Sequence, residues 1–139
     1  MERAEAQWIE VEIKNRMRSS DVSVKNARLD WGKFYKGSKS REIKPHEVNQ
    51  TVVAPGAMEV VSSCGRAHAA SGTNGDFDLY DGNTKICNIY WDCPWGTKAN
   101  DFAVRAYDPD ASAYSVVAGR WNTSGGAIGN VSITIAKYG

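Results

Sequence analysis

Residues 90–100 read Tyr-Trp-Asp-Cys-Pro-Trp-Gly-Thr-Lys-Ala-Asn and combine aromatic, rigid and cationic side chains in one short stretch. Pro94 fixes its own backbone and Gly96 lets the chain turn, so these residues hold Trp95 on a stiff loop. Lys98 follows Trp95 closely. A rigid exposed indole beside a cation suits a ligand that is partly apolar and partly anionic, such as a phospholipid at a membrane surface.

Trp31 occupies a similar setting, because Gly32 and Lys33 follow it directly. We therefore expect the indoles of Trp31 and Trp95 at one end of the fold. Trp91 differs, since it ends a segment of alternating apolar and polar residues. A tryptophan inside a strand is typical of a protein core.

A glycine-rich segment, residues 63–75, predicts a long loop. Arg66 lies in this segment beside Gly65. An arginine presented in this way can fork onto a phosphate or carboxylate of a ligand, or it can form a surface ion pair.

Catalytic and metal chemistry finds little support in the sequence. His46 and His68 lack a second ligand at metal spacing, so we expect no metal site. Cys64 and His68 lack an orienting carboxylate for nucleophilic catalysis. Asp76 and Asp78 share a strand face and are a candidate carboxylate pair for glycoside hydrolysis, but acidic residues beside hairpins usually form turns.

The composition indicates one domain, residues 1–139, with a single core. The net charge is +1 and the basic residues are spread along the chain, which argues against a nucleic-acid partner. No signal peptide or long apolar run is present, so we expect a cytosolic product. Three cysteines without CxxC spacing favour free thiols, and one bridge between Cys64 and Cys93 stays open.

Short alternating segments separated by glycine and proline predict an all-β, single-domain, antiparallel two-sheet β-sandwich. Residues 35–47 are polar and predict a surface loop with at most a short edge strand. The predicted strands lie in residues 7–15, 22–31, 51–53, 58–61, 76–80, 85–91, 102–107, 114–118 and 131–135.

Several of these motifs, in this order, resemble the aegerolysin family and most closely its ascomycete haemolysin branch. The run of residues 90–98 is the most specific of them. The others are Gln7-Trp8, Trp31-Gly32-Lys33, Cys64-Gly65-Arg66, residues 72–79 and residues 125–129.

This resemblance implies a two-sheet β-sandwich without enzymatic activity or cofactor. It further implies binding to membrane sphingolipids, such as sphingomyelin with cholesterol or ceramide phosphoethanolamine. Some family members form pores only with a larger perforin-like (MACPF) partner, and members usually lack a signal peptide. A homodimer is compatible with this picture.

The resemblance also assigns the lipid-binding residues. Mushroom members carry a glutamate near the head group where this chain has Ser71, and an aspartate where it has His68. Cys87 has no counterpart in the mushroom pattern. The positions that match the lipid-facing residues of the family are Trp8, Trp31, Tyr90, Trp91, Trp95 and Lys98.

The sequence thus predicts a peripheral membrane-binding protein that is cytoplasmic or secreted without a signal peptide. Lys98 and Arg66 favour a phosphate-bearing head group. A β-sandwich lectin is the alternative, because sugar rings also stack on tryptophan, and an enzyme is a distant third. No hairpin offers an unbroken apolar face of the length a membrane strand needs, so we expect a partner to supply the pore-forming segment.

Overall fold

The computed structural model describes residues 4–139, and within them the chain forms two packed β-sheets. A 3-10 turn (Ala4–Ala6) precedes the first strand, and a short α-helix, α1 (Pro45–Val48), lies between the fourth and fifth strands. The strands are β1 (Trp8–Asn15), β2 (Val22–Trp31), β3 (Lys33–Lys36), β4 (Ser38–Ile43), β5 (Val52–Val53), β6 (Met58–Cys64), β7 (Thr73–Asp81), β8 (Thr84–Cys93), β9 (Asp101–Arg105), β10 (Tyr114–Ala118) and β11 (Gly129–Lys137).

The order of strands is β10-β11-β1-β6-β3-β4 in one sheet and β5-β2-β7-β8-β9 in the other. The predicted all-β two-sheet sandwich is therefore confirmed. One pair departs from the antiparallel pattern, because β1 and β11 are parallel, with Val11 opposite Val131. A parallel pair needs a long connection, and nearly the whole chain lies between these two strands.

The core follows the alternation that the sequence shows. In β1, Ile9, Val11 and Ile13 are buried and the residues between them are only partly buried. Inward residues of β11 continue the same layer, and Phe77, Leu79 and Ile89 face them from the other sheet. The inward residues of β11 are Val131, Ile133 and Ile135.

The prediction for residues 35–47, a surface loop with at most a short edge strand, is only partly right, because β4 is an edge strand but the end of β3 and α1 also occupy this segment. β3 buries Phe34 and Tyr35. β4 is an edge strand with mostly exposed side chains, so its sequence shows no apolar alternation. Polarity therefore marked an exposed strand rather than a loop.

The predicted loop at residues 63–75 is shorter than expected, since β6 extends to Cys64 and β7 begins at Thr73. Small residues are used here for close packing. A side chain at Gly75 would place its Cβ only 2.4 Å from the Arg28 carbonyl oxygen. β8 likewise continues through Asp92 to Cys93, beyond its predicted end.

All three cysteines are buried free thiols, so the Cys64–Cys93 bridge does not form. Burial raises the pKa of the Cys64 thiol to about 11. It raises the pKa of Cys87 to about 12 and that of Cys93 to about 11. These thiols are protonated at neutral pH and are poor nucleophiles.

Candidate functional site

The register of the five-stranded sheet places the two predicted surface tryptophans at one end of the sandwich. Trp31 lies opposite Asn74, and Asn74 lies opposite Asp92. Trp95 follows Asp92 after Cys93 and Pro94, so the end of β2 and the loop after β8 project from the same edge of the sheet. The expected placement of Trp31 and Trp95 is confirmed.

We call this edge the tryptophan end. In the six-stranded sheet β1 also begins there, with Trp8 opposite Cys64. The tryptophan end comprises Trp8, Trp31, Gly32, Trp95 and the connections at residues 65–72, 94–100 and 119–128.

Trp31 is the exposed aromatic side chain of this end. It retains 47% of its accessible surface. The turn after it requires glycine, because Gly32 has a φ of +97° and a Cβ there would lie 2.8 Å from the Cys64 carbonyl oxygen. This tight turn carries the chain from one sheet to the other and leaves the indole of Trp31 at the rim.

Trp95 is only partly exposed. Gly96 after it has a φ of +85°, as the predicted turn requires. Gly72 packs against the start of the same loop, since a Cβ there would lie 1.9 Å from the Cys93 carbonyl oxygen. This close approach brings the partly buried Ser71 next to the Trp95 loop.

A buried amide, Asn100, holds the Trp95 loop to residues 119–128. Its Nδ2 donates hydrogen bonds to the carbonyl oxygens of Asn122 at 3.0 Å, Ser124 at 2.7 Å and Gly126 at 3.0 Å. Its backbone N–H donates to the Thr123 carbonyl at 3.0 Å. One side chain thus shapes two of the three loops.

A second buried amide, Gln7, reaches the same region from β1. In the amide orientation that satisfies its neighbours, Gln7 Nε2 donates to the carbonyl oxygens of Pro94 and Gly126, both at 3.1 Å. Gly125 fits against Thr97, because a Cβ there would lie 2.9 Å from the Thr97 Cα. The loop that carries Trp95 and Lys98 is therefore held on two sides.

Asn100→Asp is expected to lower the free energy of unfolding by at least about 1–3 kcal/mol, the cost of leaving a buried group unsatisfied. The new carboxylate would face three carbonyl oxygens and could not donate to them. Urea unfolding checks this, with Asn100→Ala as the matched variant that should lose less stability. Lowering the pH should partly rescue Asn100→Asp, because a protonated carboxyl can donate one bond. An unchanged unfolding midpoint for Asn100→Asp would show that Asn100 does not hold the Trp95 loop to residues 119–128.

The two predicted cations of the site differ in their surroundings. Lys98 is exposed and forms no ion pair with any side chain of residues 4–139. Arg66 forks onto Glu42 instead, with its Nη1 and Nη2 at 3.0 and 2.8 Å from the two carboxylate oxygens. A ligand would have to displace that carboxylate to reach Arg66, so the ion-pair alternative describes Arg66 in this structure.

Trp8 and Tyr90 lie on the outer faces of the two sheets. Trp8 is partly buried, and the Lys39 ammonium lies 5.5 Å from the center of its ring. Tyr90 is covered by the Arg105 guanidinium at 4.3 Å, and its hydroxyl accepts a hydrogen bond from Asn74. Trp8 borders the rim, whereas Tyr90 stands back from it and is already stacked on a cation.

The assignment of Trp91 to the lipid surface is wrong for this structure. Trp91 has no accessible surface. Its ring packs against Phe34 and Phe77, and its Nε1 donates to Thr73 Oγ1 at 3.0 Å. The alternation of β8 turns this residue inward, as its position in the strand predicts, and that physical constraint overrides the family assignment.

The candidate carboxylate pair is neutralised by neighbours. Asp76 accepts hydrogen bonds from Arg28 and Asn88, and Asp78 accepts one from Asn88. Burial alone would raise the pKa of Asp78, but hydrogen bonds from Asn26 and Asn88 and the nearby Lys85 outweigh it, so the pKa is lowered. A glycosidase acid needs a raised pKa, so Asp78 does not fit that role.

Two residues that support the site carry no sign of this role in the sequence. Asn100 carried no recognisable signal, because a buried amide donor is visible only once the loop carbonyls around it are placed. Gln7 appeared only as a neighbour of Trp8 in a motif. Among residues 4–139, no group of three or more His, Cys, Asp or Glu side chains could hold a metal ion, and no helix is long and apolar enough to cross a membrane.

Comparisons with known proteins agree with this architecture. The aegerolysin family model matches residues 6–138. Asp-hemolysin from Aspergillus fumigatus is 50% identical over 135 residues, which cover 96% of this chain and 95% of that protein. Aegerolysin Aa-Pri1 from Cyclocybe aegerita is 37% identical, with coverage of 99% and 95%.

Among solved structures, the RahU protein in complex with a TRIS molecule superposes with a TM-score of 0.89 at 37% identity and covers 98% of each chain. The sequence likeness and the structural likeness both extend over nearly the entire chain. Together they show that this chain belongs to the aegerolysin family.

Proposed function

We propose that this aegerolysin is a membrane-lipid-binding protein of the cytolysin type that contacts the membrane through its tryptophan end. The main support for this proposal is Trp31, whose indole has about half of its surface exposed at the rim of a rigid end of the sandwich. Amphipathic indoles are most stable at the boundary between head groups and acyl chains. The match to the aegerolysin family and the similarity to Asp-hemolysin also support membrane binding.

The chemistry beside this indole supports a lipid with a phosphate in its head group. Lys98 is a cation without a carboxylate partner among the described residues, and it lies in the same loop as Trp95. An ammonium next to an apolar surface fits a lipid with a phosphate in its head group. The resemblance to the aegerolysin family narrows this proposal to sphingolipids, either sphingomyelin with cholesterol or ceramide phosphoethanolamine.

Cosedimentation with liposomes tests this proposal. Vesicles of phosphatidylcholine alone are compared with vesicles that also contain sphingomyelin and cholesterol, or ceramide phosphoethanolamine. We expect binding to at least one sphingolipid mixture and much weaker binding to phosphatidylcholine. Binding to a glycan array without binding to any sphingolipid vesicle would instead support a lectin, whose sugar would stack on Trp31.

Lys98→Ala is expected to weaken liposome binding by about 1 kcal/mol, or roughly fivefold, because one cation near a lipid surface contributes about that much. Salt screens this attraction, so wild type and Lys98→Ala should converge as ionic strength rises. Liposome titrations at low and high salt measure the difference. A larger deficit at high salt than at low salt contradicts a simple phosphate contact.

A perforin-like partner is the further part of this proposal. The hairpin formed by the long strands β7 and β8 carries Asp76, Asp78 and Lys85, whose burial in hydrocarbon would be costly. We propose that the protein acts peripherally on target membranes and that another protein supplies the membrane-spanning segment. Dye release from partner-free liposomes at low protein concentration would count against this division of labour.

We also propose that the protein is not an enzyme, with the neutralised Asp76 and Asp78 and the protonated Cys64 as support. Its location, cytoplasmic or secreted without a signal peptide, belongs to the same proposal. A hydrolase activity that is lost on changing Asp76 or Asp78 would overturn the non-enzymatic part.

A further inference from the structure

Strand β6 has a free edge along its first half. β3 pairs with β6 only at Ser62, Ser63 and Cys64. β1 pairs with β6 on the other side along its whole length, from Met58 to Cys64. Among residues 4–139, residues 58–61 therefore have a neighbouring strand on one side only.

The direction of the free backbone groups follows from the hydrogen bonds that flank this strand. Gly65 N–H donates to the Gln7 carbonyl, and the Ala57 carbonyl accepts from Asn15 N–H, both at 3.0 Å. Alternate residues of an antiparallel strand direct both backbone groups to the same neighbour. Odd-numbered residues of β6 thus face β1, and Met58 and Val60 direct their N–H and C=O groups to the free edge, where no group of residues 4–139 pairs with them.

A groove adjoins this edge. It has a volume of about 370 Å³, within the range of ligand clefts. Val60 and Val52 both line this groove and keep 42% and 49% of their surfaces exposed. Three charged side chains, Lys36, Glu47 and Glu59, also line the groove.

We infer that this groove binds an extended peptide segment of a partner protein, which adds as a short strand to the edge at Met58 and Val60. Two N–H and two C=O groups at a two-residue repeat match the backbone of an extended peptide. Alternate apolar side chains would pack beside Met58 and Val60 on the outer face of the sheet, and the side chain between them would lie on the face of Glu59. Glu59 and Glu47 outnumber Lys36, so a basic side chain fits between them.

A second copy of this chain is a poor occupant. If two β6 edges paired antiparallel, Met58 of one copy would bond with Val60 of the other, and the two Glu59 side chains would face each other. Like charges directly opposite one another destabilise a strand pair. The edge also begins at the end of β6 remote from the tryptophan end, so a peptide could occupy it while the protein contacts a membrane.

The test uses the peptide acetyl-Thr-Val-Lys-Val-Thr-amide as probe and the full chain labelled with ¹⁵N. We expect amide shifts that saturate at Met58, Val60 and the groove residues. N-methylation of the two valines should weaken binding at least about tenfold, since two hydrogen bonds at about 0.7 kcal/mol each are lost. Equal binding of the methylated peptide, or shifts confined to the tryptophan end, overturns the inference.

Two variants test the hydrogen bonds and the charge preference separately. Val60→Pro removes one free N–H without touching the bonds to β1, so it should weaken binding at least about threefold while the fold persists. Glu59→Lys should weaken binding of the lysine peptide and strengthen binding of its counterpart with glutamate in place of lysine. If Val60→Pro does not fold, the reversed peptide preference of Glu59→Lys still tests whether the peptide binds at this edge. If the protein instead dimerises with rising concentration and the amide resonances of Met58 and Val60 shift without peptide, a second copy occupies the edge and the proposal of a partner peptide is contradicted.

Discussion

Trp31→Ala is expected to weaken binding to sphingolipid liposomes about 30- to 150-fold. Burying a whole tryptophan contributes at most about 4–6 kcal/mol at about 25 cal/mol per Å². Trp31 has 47% of its surface left to bury, so about 2–3 kcal/mol is available, and each 1.4 kcal/mol is about tenfold in affinity. The loss should persist at high salt, because it arises from apolar burial.

Trp95→Ala should have a smaller effect on binding, since the indole of Trp95 is already partly buried against the protein. The double variant Trp31→Ala/Trp95→Ala should bind no liposomes at measurable concentration. Tyr138→Ala is the matched control, because Tyr138 is an exposed aromatic at the opposite end of the sandwich, with 62% of its surface accessible. Equal losses for Tyr138→Ala and Trp31→Ala would show that the tryptophan end is not the contact surface.

Trp91→Ala is expected to destabilise the fold by about 3–5 kcal/mol, the usual cost of removing a buried aromatic side chain. The change leaves a cavity beside Phe34 and Phe77 and leaves Thr73 Oγ1 without the indole donor. This is a large share of the about 5–15 kcal/mol that typically stabilises a domain. Urea unfolding followed by circular dichroism measures it.

Trp91→Phe is the companion variant, because it keeps much of the apolar volume and should cost clearly less. Liposome binding by whatever fraction of Trp91→Phe remains folded should equal that of the wild type. If Trp91→Ala instead unfolds at the wild-type midpoint but fails to bind liposomes, Trp91 is a lipid-contacting residue after all.

The sequence was sufficient for the parts of the fold in which one face is buried. β1 alternates strictly, and the structure buries Ile9, Val11 and Ile13 as that alternation predicts. β4 could not be found in this way, because it is an edge strand with both faces largely exposed. Alternation reports burial on one face and says nothing about strands that lack a buried face.

The tryptophans of the site could be predicted from the sequence, whereas the residues that hold the Trp95 loop in place could not. Proline and glycine beside Trp95 mark a stiff loop from the sequence alone. Asn100 holds that loop through three carbonyl oxygens contributed by a distant segment. Arg66 could bind either a ligand or a carboxylate, and only the placement of Glu42 on β4 decides between them.

The head group is harder to predict than the site. Ser71 lies beside the Trp95 loop as the resemblance implies, but it carries no charge that would select among phosphate-bearing lipids. Liposome composition therefore has to be varied in the binding assay, whereas the position of the site can be tested with a single lipid mixture.

Tryptophan fluorescence on vesicles with brominated acyl chains measures directly whether the tryptophan end enters the membrane. Bromine quenches only indoles that reach the acyl chains, and phenylalanine preserves apolar burial without emitting in the tryptophan range. We predict that these vesicles quench wild-type emission and that Trp31→Phe binds but loses most of this quenching. Emission from the buried Trp91 should persist throughout. Binding with undiminished quenching in Trp31→Phe/Trp95→Phe would contradict a membrane contact through the tryptophan end.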